Sequence, residues 1–382
     1  MMIAKKSFQF LFGFFLFLAS ISFAGEHGSN NHEVNKDETH EKSHEEEGFV
    51  EGPVNTPEEI DAYIKHHLQD AHDFIFFTNG KTGKHYGFSL PVILWDKEAG
   101  MQFFSSSKFH HGDVVAENNG NFYKLYHGKI YKTNEQGEIN YNADHKVENY
   151  RPLDLSITKN VLAIILTGVI LLLLFGKLAK GYKKSQIPTG VGRALEPLVL
   201  FVRDEIAVPN IGKAKSRRFM GFLLTVFFFI FLLNLLGLTP LGFNVTGNIA
   251  VTFSLALFTF FITQFSGNKS YWGHIFWMPG APWPMKLVLA PIEVLGMFTK
   301  PFSLMIRLFA NITAGHSVMM ALIALVILLK PQFGAVGSTS VSLILSLFIF
   351  VIELLVAYLQ AFVFTMLSAL FIGMAVEDHD HH

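Results

Sequence analysis

The sequence predicts an all-α polytopic membrane protein with about five membrane helices, an amphipathic helix and a small mixed α/β region at the N-terminus. Half of the 382 residues are apolar, and Phe alone accounts for 40 of them. After residue 156 the chain consists mostly of apolar runs, several of which reach the ~20 residues that a helix needs to cross a bilayer. The net charge of −1 argues against a nucleic-acid partner. Because the sequence has no cysteine, disulfides and thiolate metal sites are excluded.

The first 24 residues are typical of a secretory signal peptide. A basic start is followed by an apolar run over residues 8–18, and Ser22 and Ala24 provide small residues at the positions expected before cleavage. An uncleaved anchor is the alternative, because apolar residues continue to Phe23. Either way, the segment that follows is expected outside the cytoplasm.

Two regions follow the signal peptide. Residues 25–48 are rich in Glu and His and have few apolar side chains, so they are predicted to be a disordered tail. Its histidines offer no spacing that closes a four-ligand metal site. Residues 49–152 are predicted to be a small exported domain, with a helical pattern at 57–68 and strand-like alternation at 83–95 and 122–132.

A membrane domain is predicted over residues 153–376. Its first three spans are expected at 157–175, 219–238 and 246–265. Lys and Arg cluster between the first two spans, so the positive-inside rule assigns that loop to the cytoplasm. In the same loop, apolar residues at helical spacing from Leu195 to Ile206 predict an amphipathic helix that lies on the membrane surface or against a partner helix.

The last two apolar segments are too long to stand upright in a bilayer. At 1.5 Å per residue, helices over 284–329 and 338–376 would extend about 69 Å and about 58 Å, against a hydrocarbon core near 30 Å. They are therefore predicted to be strongly tilted and to form an antiparallel hairpin centred near residue 334, with kinks at Pro291 and Pro301.

Arg307 is the most informative residue, because it lies in the middle of an apolar run from Leu287 to Leu329. A fixed cation at that depth is costly unless it faces water or a countercharge, so it favours an ion path. Snorkelling to the lipid headgroups is the alternative, but Arg307 is about 20 residues from either end of the run. Ser303 and Asn311 lie four residues to either side and share its helical face.

Four motifs in the apolar part of the chain are typical of one family. They are NLLGLTP at 234–240, KPFSL at 300–304, RLFAN at 307–311 and LQAFVFTML at 359–367. In combination they resemble subunit a of the rotary F-type ATP synthase, over roughly residues 85–376. The polar N-terminal extension is longer than in most of that family, and the resemblance implies no role for it.

The resemblance implies a non-catalytic, proton-translocating stator subunit with two aqueous half-channels, a fixed arginine and no cofactor or metal. The implied partners are a ring of c subunits, the b subunit of the peripheral stalk, the F1 sector indirectly, and membrane lipid. The implied location is the bacterial inner membrane, with the N-terminal region in the periplasm and residues 377–382 as a cytoplasmic tail.

By the same resemblance, Arg307 matches the arginine that faces the carboxylate of each passing c subunit. The other residues of the implied proton path are Asn248, Glu293, Lys300, Asn311, His316, Glu353 and Gln360. Asn248 stands where many relatives have an aspartate, and its structural alternative is a helix N-cap. Gln360 taken alone would more often be an interhelical hydrogen-bond donor.

The hairpin also predicts which of these residues share a height. Residues equally far from the turn lie level, which pairs Arg307 with Gln360 and His316 with Glu353. His316 is nine residues from Arg307, about 180° around an ideal helix. We therefore expect Arg307 to face the ring and His316 to border water on the external side.

Two other function classes have to be weighed. A self-contained secondary transporter or cation channel would predict inverted repeats or a selectivity filter, and the sequence contains neither. A periplasmic metal-binding or sensory protein anchored by helices would depend on the histidine-rich tail alone. Co-purification of a ring and of ATPase subunits in mild detergent is expected for the stator subunit only.

Overall fold

The structure is a computed structural model, and it describes residues 70–78, 85–112, 114–142, 146–184, 190–239, 243–278 and 282–377. The predicted signal peptide, the histidine-rich tail and the helical pattern at 57–68 lie outside the described residues. An N-terminal β region comes first and a helical region follows.

The β region contains three small antiparallel sheets within the described residues. Its strands are β1 (Asp73–Thr78), β2 (His85–Ser89), β3 (Pro91–Asp96), β4 (Gly100–Ser105), β5 (Ala116–Asn118), β6 (Asn121–Tyr126), β7 (Lys129–Thr133) and β8 (Leu153–Asp154). They pair as β1-β2, β4-β3-β8 and β5-β6-β7. A 3-10 helix spans Ser106–Gly112. The two segments predicted as strands are confirmed.

Buried and more exposed side chains alternate along β3, and the buried ones form a small core for the β region. Val92 and Leu94 are buried and pack with Phe109, Tyr123 and Ile130, while the side chains between them point outward. This period-2 pattern gives a sheet one apolar inner face. The β region therefore has its own small core.

The helical region contains the membrane-length elements. Its helices are α1 (Lys159–Lys184), α2 (Val191–Phe201), α3 (Val208–Ile211), α4 (Lys213–Gly237), α5 (Ile249–Ser266), α6 (Lys269–Phe276) and α7 (Trp283–Val376). Among the described residues, α1, α4, α5 and α7 are long and apolar enough to cross a membrane. Helix α4 is the most buried of them, with Phe227, Phe228 and Phe229 inside the main apolar cluster. A helix that is apolar on all sides is expected at the centre of a bundle.

Helix α7 is a hairpin. Gly334 has φ 68° and ψ 176°, so the backbone leaves the helical conformation there, in a region that glycine adopts without strain. The Ser342 hydroxyl donates to the Leu322 carbonyl, which brings the two arms together on either side of the turn. Residues 283–333 and 335–376 are thus antiparallel arms, which confirms the predicted hairpin and brings the total to about five membrane helices. Helix α7 continues through both Pro291 and Pro301.

The predicted amphipathic helix is also present. It begins as α2 and continues through a π-helical segment, Val202–Ala207, into α3. Val202 and Ile206 are fully buried, whereas the ion pair between Arg203 and Asp204 is exposed. The apolar side packs against α4 and α7, so this helix lies against partner helices and does not cross the bundle.

The C-terminus of α7 is fastened to the end of the bundle where α4 begins. The Lys215 ammonium donates to the carbonyl of Val376, and the backbone N–H of Asn268 donates to the carbonyl of Ala375 at 3.0 Å. The last carbonyls of a helix lack partners within it, and a cation there also interacts favourably with the helix dipole. We call this end, with its lysines and arginines, the basic end. The Gly334 turn lies at the opposite end.

A close approach at the basic end gives a first testable prediction. A Cβ on Gly373 would lie 2.0 Å from the carbonyl oxygen of Asn210, so Gly373→Ala forces α7 away from α3 and should cost about 1–3 kcal/mol of stability. We expect a lower midpoint of thermal unfolding in detergent. Gly176→Ala is the matched control, since nothing lies within 4 Å of its Cβ and alanine favours a helix. Equal midpoints for both variants would contradict the contact.

Candidate functional site

Arg307 lies midway along the first arm of α7 and its side chain is exposed on the outer face of the chain. Ser303 and Asn311, one turn to either side, are exposed on the same face. Exposed apolar side chains such as Phe302 and Ile306 flank them. We call Ser303, Arg307 and Asn311 the polar stripe. It crosses an otherwise apolar surface at membrane depth.

Gln360 connects the second arm to this position from the inside. Its side-chain Nε2 donates to the backbone carbonyl of Arg307 at 3.4 Å, and the residue is buried. The two residues therefore lie level across the hairpin, as the register predicts. The amide faces the interior of the hairpin while the guanidinium points outward, so their side chains do not meet.

Glu353 is buried, and a glycine makes room for it. A Cβ on Gly315 would lie 2.3 Å from one oxygen of the Glu353 carboxylate and 2.5 Å from the other. The carboxylate thus lies directly against the backbone of the first arm. His316 follows Gly315 in α7, and its side chain lies outside the described part of the structure. The predicted pairing of His316 with Glu353 remains a prediction.

A small cleft opens between α5, α6 and the two arms of α7. Its lining includes Thr263 and Gln264 from α5, Tyr271 from α6 and Lys300 from α7. The Tyr271 hydroxyl donates to Gln264 Oε1 at 3.3 Å, and Lys300 Nζ lies 5.5 Å from the centroid of the Phe371 ring. Polar groups therefore line a gap between helices, and this gap lies between the level of Arg307 and the basic end.

The pKa of the Tyr271 phenol is affected by the nearby carboxylate of Glu293. Burial raises the pKa of the Tyr271 phenol, the hydrogen bond to Gln264 lowers it, and the charge of Glu293 raises it further, for a net upward shift. The phenol is therefore a neutral hydrogen-bonding group at physiological pH. Glu293 itself is partly buried, and it lies close enough to Tyr271 for its negative charge to raise the pKa of the phenol.

Sequence reasoning selected Lys300 and Glu293 but missed Thr263, Gln264 and Tyr271. The signal that was present is the i, i+4 spacing of Thr259 and Thr263 on a helix that is mostly apolar. The contribution of Tyr271 has no such signal, because α6 is short and its position depends on the fold.

Asn248 lies at the N-terminus of α5. Its Oδ1 accepts a hydrogen bond from the backbone N–H of Ala250 at 2.9 Å, so Asn248 is the N-cap of that helix. The structural alternative for this residue is confirmed. It lies at the end of the bundle away from the basic residues.

The polar groups fall on both sides of the Arg307 level. Glu353 is seven residues, about 10 Å, from Gln360 toward the Gly334 turn. Lys300 is seven residues, about 10 Å, from Arg307 toward the basic end. The arrangement offers one set of polar groups toward each end of the bundle, with an exposed cation between them.

Two family models match the chain. One is described as ATP synthase A chain and matches residues 161–373; the other is a domain of unknown function (DUF8433) and matches residues 63–155. The chain is similar to ATP synthase subunit a of Chlorobium phaeobacteroides (strain BS1), with 48% identity over 236 residues that cover 60% of this chain and 68% of that protein. It is 47% identical over 236 residues to ATP synthase subunit a 2 of Prosthecochloris aestuarii (strain DSM 271 / SK 413), covering 60% and 71%. It is also 47% identical over 235 residues to ATP synthase subunit a of Myxococcus xanthus (strain DK1622), covering 60% and 76%.

The contact between Gly315 and Glu353 gives a second prediction, in the form of a double-mutant cycle. Gly315→Ala should lower stability by about 1 kcal/mol, because the methyl group displaces the end of the flexible Glu353 side chain. In a Glu353→Ala background, the same change at position 315 should be tolerated, which gives a coupling between the two sites. Gly296→Ala, with nothing within 4 Å of its Cβ, is the control on the same arm. Additive effects at positions 315 and 353 would show that they do not touch.

Proposed function

The chain belongs to the ATP synthase subunit a family, and we propose that it is the membrane stator subunit that guides protons through two half-channels beside a ring of c subunits. In this proposal the protein catalyses no reaction. It couples proton flow to rotation of the ring, and it binds the b subunit of the peripheral stalk.

The observation that carries the proposal is the exposed Arg307. An arginine on the lipid-facing surface at membrane depth is unfavourable without a countercharge or water. Among the described residues Arg307 has no ion-pair partner, and in this proposal another molecule supplies the countercharge. A self-contained transporter would place that partner within the chain. A carboxylate on an adjacent membrane subunit meets the requirement.

The chemistry follows from this position. A carboxyl group stays protonated in apolar surroundings but ionises when a fixed guanidinium lies beside it. Each carboxyl of the ring would release its proton on reaching Arg307 and take up another after passing it. Since Arg307 remains charged, a proton cannot pass directly from one half-channel to the other.

The two sets of polar groups supply the half-channels. On the side of the Gly334 turn we assign Glu353, His316 and Asn248 to the inlet. On the side of the basic end we assign Lys300 and Glu293 to the outlet, and the polar lining of the cleft supports that assignment. Asn311 extends the polar stripe toward the ring, and Gln360 holds the second arm level with Arg307.

We infer the orientation from charge. The basic end carries Lys213, Lys215, Arg217, Arg218 and Lys269. The positive-inside rule assigns such a cluster to the cytoplasm. The Gly334 turn and the N-terminal β region are then periplasmic and the C-terminus cytoplasmic, in keeping with an N-terminal signal peptide.

Replacement of Arg307 provides a third prediction. Arg307→Ala should abolish ATP-driven proton pumping and coupled synthesis in membrane vesicles while the complex still assembles. Arg307→Lys should also fail, because a localised ammonium on a different stem lacks the planar guanidinium and gives up its charge more readily. Lys330→Ala on the same arm is the matched control and should pump normally. Retained coupled pumping by Arg307→Ala would exclude the proposed role.

A fourth prediction concerns the inlet. Glu353→Gln should severely slow proton pumping, because it removes the buried carboxylate that α7 carries on that side of Arg307. If His316 and Glu353 act as one pair, the exchange His316→Glu with Glu353→His should pump faster than either single change. The measurement is ATP-driven acidification of inverted vesicles. A double variant no better than the worse single variant would rule out the pairing.

A further inference from the structure

The N-terminal β region caps the first membrane helix. The backbone N–H of Lys159 donates to the carbonyl of Ala71 at 2.9 Å, and that of Asn160 donates to Asp70 Oδ1 at 3.1 Å. The N–H of Val161 is bonded to the Thr158 hydroxyl. The first N–H groups of a helix need partners from outside it, and a carboxylate there also interacts favourably with the helix dipole. Two of these partners lie just before β1.

A buried contact between His72 and Asp154 reinforces the cap. His72 Nε2 and Asp154 Oδ2 are 2.9 Å apart, and both side chains are almost completely buried. Burial alone would raise the pKa of Asp154, but the hydrogen bond and charge of His72 and the hydrogen bonds from Ser156 lower it below its usual value. His72 precedes β1 and Asp154 lies in β8, five residues before α1. We call Asp70, His72 and Asp154 the joint.

The carboxyl of Asp70 completes this cluster. It is buried although the residue as a whole is partly exposed, and burial raises its pKa despite hydrogen bonds from Thr158 and Asn160. The Lys159 ammonium interacts electrostatically with Asp70 and lies 6.0 Å from the centroid of the Phe74 ring. Removing one side chain of the joint would leave its buried polar partner without that hydrogen bond, which is unfavourable. These contacts fasten the β region to α1.

The β region also reaches the connection between α4 and α5. The rings of Phe74 and Phe243 lie 5.2 Å apart, and both residues belong to the main apolar cluster of the helical region. Phe243 begins the segment 243–248. Within it, the buried Thr246 hydroxyl donates to Asn234 Oδ1 at 2.8 Å, and Asn248 caps α5. This polar segment therefore contacts the β region through Phe243 and the helical region through Thr246 and Asn248.

We propose that the N-terminal β region is a fixed collar of the proton inlet, in which His72 and Asp154 are positioning residues that hold segment 243–248 in place. The proposal rests on the proposed function, since it needs the inlet to lie on the side of the Gly334 turn. It assigns a role to the part of the chain that matches a domain of unknown function. A collar of this kind is rigid and acts through geometry, without conducting protons itself.

The first experiment uses the absence of native cysteine. Phe74→Cys and Phe243→Cys are combined in the full complex and joined with a short, reducible thiol-to-thiol cross-linker. A fixed collar predicts efficient cross-linking and the same pumping rate before and after reduction. Absence of cross-linking would overturn the contact. A pumping rate that falls on cross-linking and recovers on reduction would show that the region has to move, which would overturn the collar.

The second experiment breaks the joint. ATP synthesis is driven in proteoliposomes by an imposed proton gradient, with the pH on the F1 side held constant and the pH on the β-region side varied. Rates are normalised to assembled complex. His72→Gln should move the half-maximal rate to more acidic pH, because a displaced inlet needs a higher proton concentration. Lys132→Gln is the control, since Lys132 bonds Glu98 and Asp96 in the same region, away from the joint.

The outcomes separate the two proposals. A role in assembly alone would reduce the amount of complex but leave the normalised pH profile unmoved, and that result overturns the positioning role. Loss of synthesis at every pH in Arg307→Ala, together with an unmoved His72→Gln profile, would overturn the collar and leave the stator function intact. Should His72→Gln fail to assemble, the cross-linking experiment decides the matter with the joint unchanged.

Discussion

The cost of placing an arginine on an apolar surface is the constraint on which the rest of the structure depends. In the proposed function, the outward direction of Arg307 is matched by a negative charge that a neighbouring subunit brings to that height. This arrangement requires the second arm of α7 to approach from the other side without neutralising the cation. Gln360 meets this requirement, because an uncharged amide bonded to the Arg307 backbone holds the arms level and leaves the guanidinium available. The polar groups above and below are then separated by a fixed charge.

The hairpin and the strands could be predicted from the sequence because each follows from a local pattern. Apolar segments much longer than the bilayer is thick leave a tilted hairpin as the solution, and the symmetry about Gly334 then fixes the level of Arg307 and Gln360. Alternation in β3 likewise predicts a half-buried strand. The amphipathic helix could be predicted for the same reason, from the apolar stripe between Leu195 and Ile206. Its π-helical segment could not be predicted.

Features that depend on tertiary approach could not be predicted in this way. The role of Gly315 appears only when the second arm brings Glu353 against it. The cleft near Lys300 needs α6 to place Tyr271 beside Gln264. His72 and Asp154 are 82 residues apart, so no spacing rule relates them. In each case the residue type alone does not indicate a role, because the role depends on contact with a neighbour that is distant along the chain.

Gly334 has a consequence for how the chain tolerates changes in length. Because α7 is helical on both sides of this one residue, the chain between Arg307 and Gln360 has little slack. One residue inserted within an arm would rotate everything beyond it by about 100° and turn the buried amide or carboxylate toward lipid. Four residues would nearly restore the face but shift the height by about 6 Å. Natural variation in length should therefore be found at the turn and not within either arm.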